Sequence, residues 1–125
     1  MPGYDAENSN PPAPVANVLL RNPETGAEIS PIVMLVDTGA DVTLIPRGAA
    51  LQIGCRPVNA HTLSGFDGAT GNYDEVFVEM VFLDKSFTGQ FLTVDQPTGT
   101  IGRNVLNHLV LTFDGPRLTW GETRR

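Results

Sequence analysis

Apolar segments in this chain are short, and turn signals cut them off. Val15 to Arg21 reads as a strand, and Asn22-Pro23-Glu24-Thr25-Gly26 closes it, with proline suited to the second turn position and glycine to a positive φ. A second strand runs to Val36, and Val42-Thr43-Leu44-Ile45 is a brief β run. Pro46 opens a one- or two-turn helical stretch through Leu51 or Gln52, closed by Gly54. Pro57 to Leu63 and Asn72 to Leu83 read as two strands around a Gly-rich tip, Ser64 to Gly71. Phe87 to Val94 follows, with Gly89 as a bulge candidate. The segment Thr100 to Leu109 holds the one convincing helix, with Val105, Leu106 and Leu109 as its apolar face. Val110 to Phe113 and Arg117 to Trp120 are the last strands. Thirteen glycines and ten prolines, with no sustained 3.6-residue period, exclude long helices and imply a mainly β domain.

One stretch breaks the pattern of strand and bland turn. Pro31-Ile32-Val33-Met34-Leu35-Val36 is an apolar run that reads as a strand buried on both faces, and it ends in Asp37-Thr38-Gly39-Ala40-Asp41. A strand ending this way carries a carboxylate out of a core and sets it beside backbone N–H groups and a hydroxyl. Gly39 lets the chain bend sharply. Such a carboxylate is held rigidly, as acid–base chemistry requires. The bland reading is an ordinary Asx turn, because three-residue strings recur by chance. The glycine-rich tip has a bland reading too, a solvent-exposed turn without function.

A chain of 125 residues forms one domain able to bury a sizeable core. The expected organisation is an extended or disordered Pro-rich arm over 1–14, a domain over 15–121 and a tail over 122–125. Cys55 is the sole cysteine, which excludes an internal disulfide and suits a reducing compartment. It reads as a small buried hydrophobe rather than a nucleophile. A net charge of −6 argues against nucleic acid, since phosphate neutralisation needs a basic patch. No apolar run reaches the length of a membrane span, and the first residues lack the basic and apolar regions of a signal peptide, so a cytoplasmic location is expected. His61, His108 and Cys55 do not give metal-ligand spacing, and no serine lies in a Gly-x-Ser-x-Gly elbow. Neither a metal nor another cofactor is expected.

Two separated motifs together resemble a known pattern. The first is the apolar run with Asp37-Thr38-Gly39-Ala40-Asp41; the second is Ile101-Gly102-Arg103-Asn104-Val105-Leu106, about sixty residues on. The chain resembles the retropepsin-type aspartic proteases, the single-domain group of retroviral proteases and their cellular relatives. The tail Leu111-Thr112-Phe113-Asp114-Gly115-Pro116 is similar to the bacterial and cellular branch. The resemblance implies a small closed β-barrel-like acid protease fold with one short C-terminal helix and a β-hairpin flap. It implies that Asp37 is the catalytic carboxylate, that Thr38 bonds across a subunit interface, and that Gly39 adds backbone contact beside it. Ala40 and Asp41 would line the path of the substrate, with Asp41 also pairing with Arg103, and Gly102 would pack behind the turn. The flap would hold Gly65, Phe66, Asp67 and Gly68 against a peptide. Gly102, Arg103 and Asn104 would support the site, although a solvated Arg103 and a helix-capping Asn104 are the simpler readings.

Hydrolysis of a peptide bond without metal or covalent nucleophile needs an acid and a base together. Two carboxylates about 3 Å apart meet the need by sharing one proton, the pattern the aspartic proteases exemplify. This chain has a single Asp-Thr-Gly, so the expected enzyme is a homodimer with Asp37 facing its copy on a two-fold axis, acting on a peptide or protein. A weakly acidic pH optimum follows from one proton shared between two acids. The cleft is expected to be lined by Val42, Phe66 and Ile101. The alternatives are a catalytically weak or inactive dimerisation module of the same shape, and a small-ligand-binding β-barrel.

Overall fold

The structure is a computed structural model that describes residues 3–64 and 70–123. In chain order the elements are β1 (Tyr4–Asp5), β2 (Ala13–Arg21), β3 (Glu28–Val36), β4 (Leu44–Pro46), α1 (Arg47–Gln52), β5 (Pro57–Ser64), β6 (Thr70–Phe82), β7 (Lys85–Val94), β8 (Gly99–Ile101), α2 (Arg103–Leu106), β9 (Leu111–Asp114) and β10 (Thr119–Glu122). Hydrogen bonding runs β2-β3-β8-β4-β7-β6 and returns from β6 to β2, so six strands close a barrel. β1 hangs on β2, and β5 hangs on β6. β9 and β10 form a separate two-stranded sheet. The all-β barrel with short helices is thus the fold expected from the sequence, with α1 as a second helix beside α2. No helix among the described residues is long and apolar enough to cross a membrane.

Closure explains which side chains are inside. Along β6, Val76, Val78, Met80 and Phe82 are all buried while Phe77 is exposed, which is the two-residue alternation of a barrel wall. The same alternation corrects the expectation for β3. Met34 and Val36 are buried, but Val33 is 38% exposed, so this strand has one inward face rather than two. An apolar run signals a two-sided core only where a second layer covers the sheet, and among the described residues nothing covers Val33 fully. Gly89 is no bulge either: it pairs with Val78 in an unbroken ladder. The irregularities fall instead between Val18 and Leu20 in β2 and between Pro57 and Asn59 in β5.

β8 is the element that the sequence hides. Gly99 to Ile101 is a three-residue strand that runs parallel to β3 and pairs Met34 with Gly99, Leu35 with Thr100 and Val36 with Ile101. Gly99 is where β3, β4 and β8 converge. A Cβ there would sit 2.5 Å from the Leu44 carbonyl oxygen and 2.9 Å from Met34 Cε, a distance no real Cβ tolerates. The helix after β8 is correspondingly shorter than expected: α2 is one turn, Arg103–Leu106, with Val105 and Leu106 buried.

The chain ends are tied to the barrel. Tyr4 pairs with Pro14 and Asp5 with Ala13, and Gly3 bridges to Thr119. Trp120 is buried, donates its indole N–H to the Val15 carbonyl at 2.9 Å, and packs its ring near Phe82 and Phe113 at centroid distances of 5.9 and 6.1 Å. Trp120→Ala removes the ring and leaves the Val15 carbonyl short of a donor. The expected loss is about 3–5 kcal/mol of unfolding free energy, read from urea denaturation, with Trp120→Phe losing roughly 1–3 kcal/mol.

Candidate active site

β3 carries the chain to Val36 and the next residue leaves the sheet. The Asp37 amide donates to the Ile101 carbonyl at 3.0 Å, which continues the β3–β8 pairing by one bond beyond the strand. The chain then folds back on itself: the Ala40 amide donates to the Asp37 carbonyl at 3.2 Å, and the Gly39 amide donates to Asp37 Oδ1 at 2.9 Å. The latter bond is an Asx turn, and it fixes the orientation of the carboxylate. A Cβ on Gly39 would lie 3.2 Å from Asp37 Oδ1, close enough that the carboxylate would have to shift by a few tenths of an ångström. Asp37, Thr38 and Gly39 are all exposed on the single chain. The barrel therefore presents an acid on its surface at the end of a rigid strand.

The second motif braces the first. Gly102 is buried with its α-carbon against the Val42 carbonyl, where a side chain of any size would overlap the backbone. The Arg103 amide donates to the Ala40 carbonyl at 2.9 Å. The Arg103 guanidinium donates from Nη1 to the Thr38 carbonyl at 3.0 Å and from Nη2 to Asp41 Oδ1. One arginine thus holds the turn at Thr38, Ala40 and Asp41, through its backbone and both ends of its fork. Val42 is exposed beside this turn, whereas Ile101 is fully buried, so Ile101 belongs to the core and not to a cleft. Its neighbour Thr100 takes the other face of β8. Gly65, Phe66, Asp67 and Gly68 lie outside the described residues.

Sequence reading missed Thr43. Its hydroxyl is buried, accepts the Gly102 amide at 3.0 Å and donates to Asn104 Oδ1 at 2.7 Å. Asn104 is consequently no helix cap: Gly102 occupies the cap position of α2, and the Asn104 side chain turns to Thr43. A signal for this was available. In Val42-Thr43-Leu44-Ile45 the alternation places Thr43 on the same face as Ile45, and Ile45 is in the core. A hydroxyl pointing inward needs partners.

Other chemistry is poorly placed. Cys55 is buried, and that burial, with Glu24 adding to it, pushes its thiol pKa up, so it stays protonated and unreactive. The His108 ring lies beside Phe87, with centroids 6.4 Å apart. Among the described residues no group of three His, Cys, Asp or Glu side chains could hold a metal ion.

Thr43→Val keeps the shape and strands both the Gly102 N–H and the Asn104 side chain. It is expected to cost roughly 1–3 kcal/mol in urea denaturation, while Thr43→Ser, which keeps the hydroxyl, costs less than about half of that.

No family model matches the chain. Among solved structures, the chain is similar to EIAV protease complexed with the inhibitor HBY-793, at 21% identity and a TM-score of 0.53, over 77% of this chain and 86% of that one. It is also similar to simian foamy virus (mac) protease, at 13% identity and a TM-score of 0.52, over 74% of this chain and 91% of that one. This chain has the fold of the retroviral proteases.

Proposed function

We propose that this protein is an aspartic endopeptidase that works as a homodimer, with Asp37 and its copy sharing one proton around the attacking water. The observation that carries this reading is the braced, exposed Asp37 at the end of β3 in a barrel of the retroviral protease fold. In the reaction one carboxylate takes a proton from water as it attacks the peptide carbonyl. The other donates a proton to the carbonyl oxygen. The first then gives its proton to the leaving nitrogen as the C–N bond breaks, the second takes a proton back from a hydroxyl of the tetrahedral diol, and the pair is restored. One acid cannot hold both states at once, which is why a chain with a single Asp-Thr-Gly needs a second copy.

The other assignments follow the same reading. Thr38 bonds across the two-fold axis, Gly39 borders the dyad, Ala40 and Asp41 line the path of the peptide, and Gly65 to Gly68 close over it. Gly102, Arg103 and Asn104 hold the turn. The domain expected over 15–121 extends to the paired strands at its edges, from β1 to Glu122 of β10, in a protein read as cytoplasmic. Exposed Val110, Phe113 and Leu118 on and around the β9–β10 hairpin offer apolar surface for a second copy. Val42 beside the acidic turn favours apolar residues flanking the cleaved bond.

Asp37→Asn tests the chemistry. It keeps an oxygen for the Gly39 amide and is exposed, so stability is expected to hold while cleavage of a denatured protein substrate falls about a thousandfold or more. Retained cleavage would overturn the assignment. Mixing tests the shared site. Equal amounts of wild-type and Asp37→Asn chains, allowed to exchange subunits, are expected to show about one quarter of the activity of the same total of wild-type chains, because only one pairing in four has both acids. A fall to one half means that each chain acts alone, and a chain that sediments as a strict monomer at high concentration and cleaves nothing is an inert module.

A further inference from the structure

The β5–β6 hairpin leaves the barrel at a definite residue. β6 is paired to β7 from Phe82–Lys85 up to Glu75–Leu92, and beyond that the ladder continues only to β5, from Ala60–Asp74 to Ser64–Thr70. Asp74 is therefore the first residue of a two-stranded ribbon with no third strand beside it. It also continues the inward row of Val76, Val78, Met80 and Phe82, and is where that row changes from apolar to charged.

A guanidinium meets it there. Arg47 Nη2 lies 2.6 Å from Asp74 Oδ2, and Arg47 Nη1 lies 3.3 Å from Asp95 Oδ1. Arg47 opens α1, Asp74 opens the ribbon and Asp95 follows β7, so one side chain joins three elements. The contact is not a loose surface pair: the Arg47 and Asp74 side chains are only 30% and 22% exposed. Arg47 Nε is shut off from solvent and finds no hydrogen-bond partner among the described residues. Local structure gives no reason for a cation at this position. It stands in the first turn of α1, where the helix dipole favours an acid. The guanidinium is partly withdrawn from solvent against its local preference, paired with the half-buried Asp74 and the exposed Asp95.

We infer that Arg47 is a positioning residue for the ribbon: by holding Asp74 against α1 and the end of β7, it fixes the angle at which the β5–β6 hairpin leaves the barrel, and through it the affinity for an extended peptide. The peptide part of this inference rests on the proposed protease reading; the anchoring part does not. Arg47 touches neither Asp37 nor the braced turn in any described contact, so its effect falls on binding rather than on the chemical step. A lysine replaces it only in part, because a single ammonium cannot span both carboxylates with the geometry of a planar fork.

Two measurements on the full chain decide the matter. Hydrogen exchange followed by mass spectrometry is expected to show amides of 59–64 and 70–74 exchanging about tenfold faster in Arg47→Gln, with 76–82 unchanged and Arg47→Lys in between. With a peptide substrate, KM is expected to rise about tenfold while kcat stays within about twofold. Asp74→Asn repeats both tests from the acceptor side if Arg47→Gln fails to fold. Equal ribbon exchange in wild type and both variants overturns the inference. So does loosening of 76–82 by the same factor, which marks a general loss of stability. A wild-type chain that cleaves nothing removes the protease reading, and the exchange experiment still decides the anchoring.

Discussion

The structure turns on two short loops that hold each other. The Asp37 turn and the Gly102–Asn104 segment lie far apart in sequence, and neither has enough internal hydrogen bonding to be rigid alone. They are locked by the Ile101 carbonyl on the Asp37 amide, the Ala40 carbonyl on the Arg103 amide, and the Arg103 fork on Thr38 and Asp41. Thr43 sits at the crossing, bonded to both Gly102 and Asn104. Each bond is worth little by itself, about 0.5–1.5 kcal/mol. Their value is geometric, because several bonds from different elements converge on one turn, with the buried Thr43 hydroxyl at their centre. An acid on an ordinary loop would wander by more than catalysis tolerates.

This bracing depends on small residues at two contacts. Gly99 lets β8 slip between β3 and β4, and Gly102 lets the backbone lie on the Val42 carbonyl. The parallel β3–β8 pairing then brings Val36 and Ile101 level, which sets the height of the whole crossing. The barrel thus serves as a jig. Its inward residues, such as Met34, Ile45 and Ile101, hold the strands, and the strands hold the loops.

The sequence made some of this legible and hid the rest for physical reasons. The barrel was readable because short β runs alternate with strong turn signals, and Gly26 and Gly54 do take the positive φ that such turns need. The Asp37 turn was readable because a carboxylate at the end of an apolar run is unusual. β8 was not, since Gly99-Thr100-Ile101 has too few residues to show a period, and its identity comes from its neighbours. Val33 was misjudged for the converse reason: apolarity tells what a residue prefers, while exposure depends on whether a second layer exists. Ile101, expected in the cleft as an apolar side chain, is turned inward by the alternation along β8. Thr43 went unread as a hub because a threonine in a β run is normally ascribed to strand preference.

Gly3 pairs with Thr119, and the indole of Trp120 rests on the carbonyl of Val15, so the first and last described stretches lie side by side. The polypeptide is in effect a loop with a small gap. A few added residues could close that gap, and the chain could be reopened at the tight Leu83–Asp84 turn on the barrel wall without changing which strands are neighbours. A segment leading into Gly3 therefore approaches the barrel beside the β9–β10 hairpin.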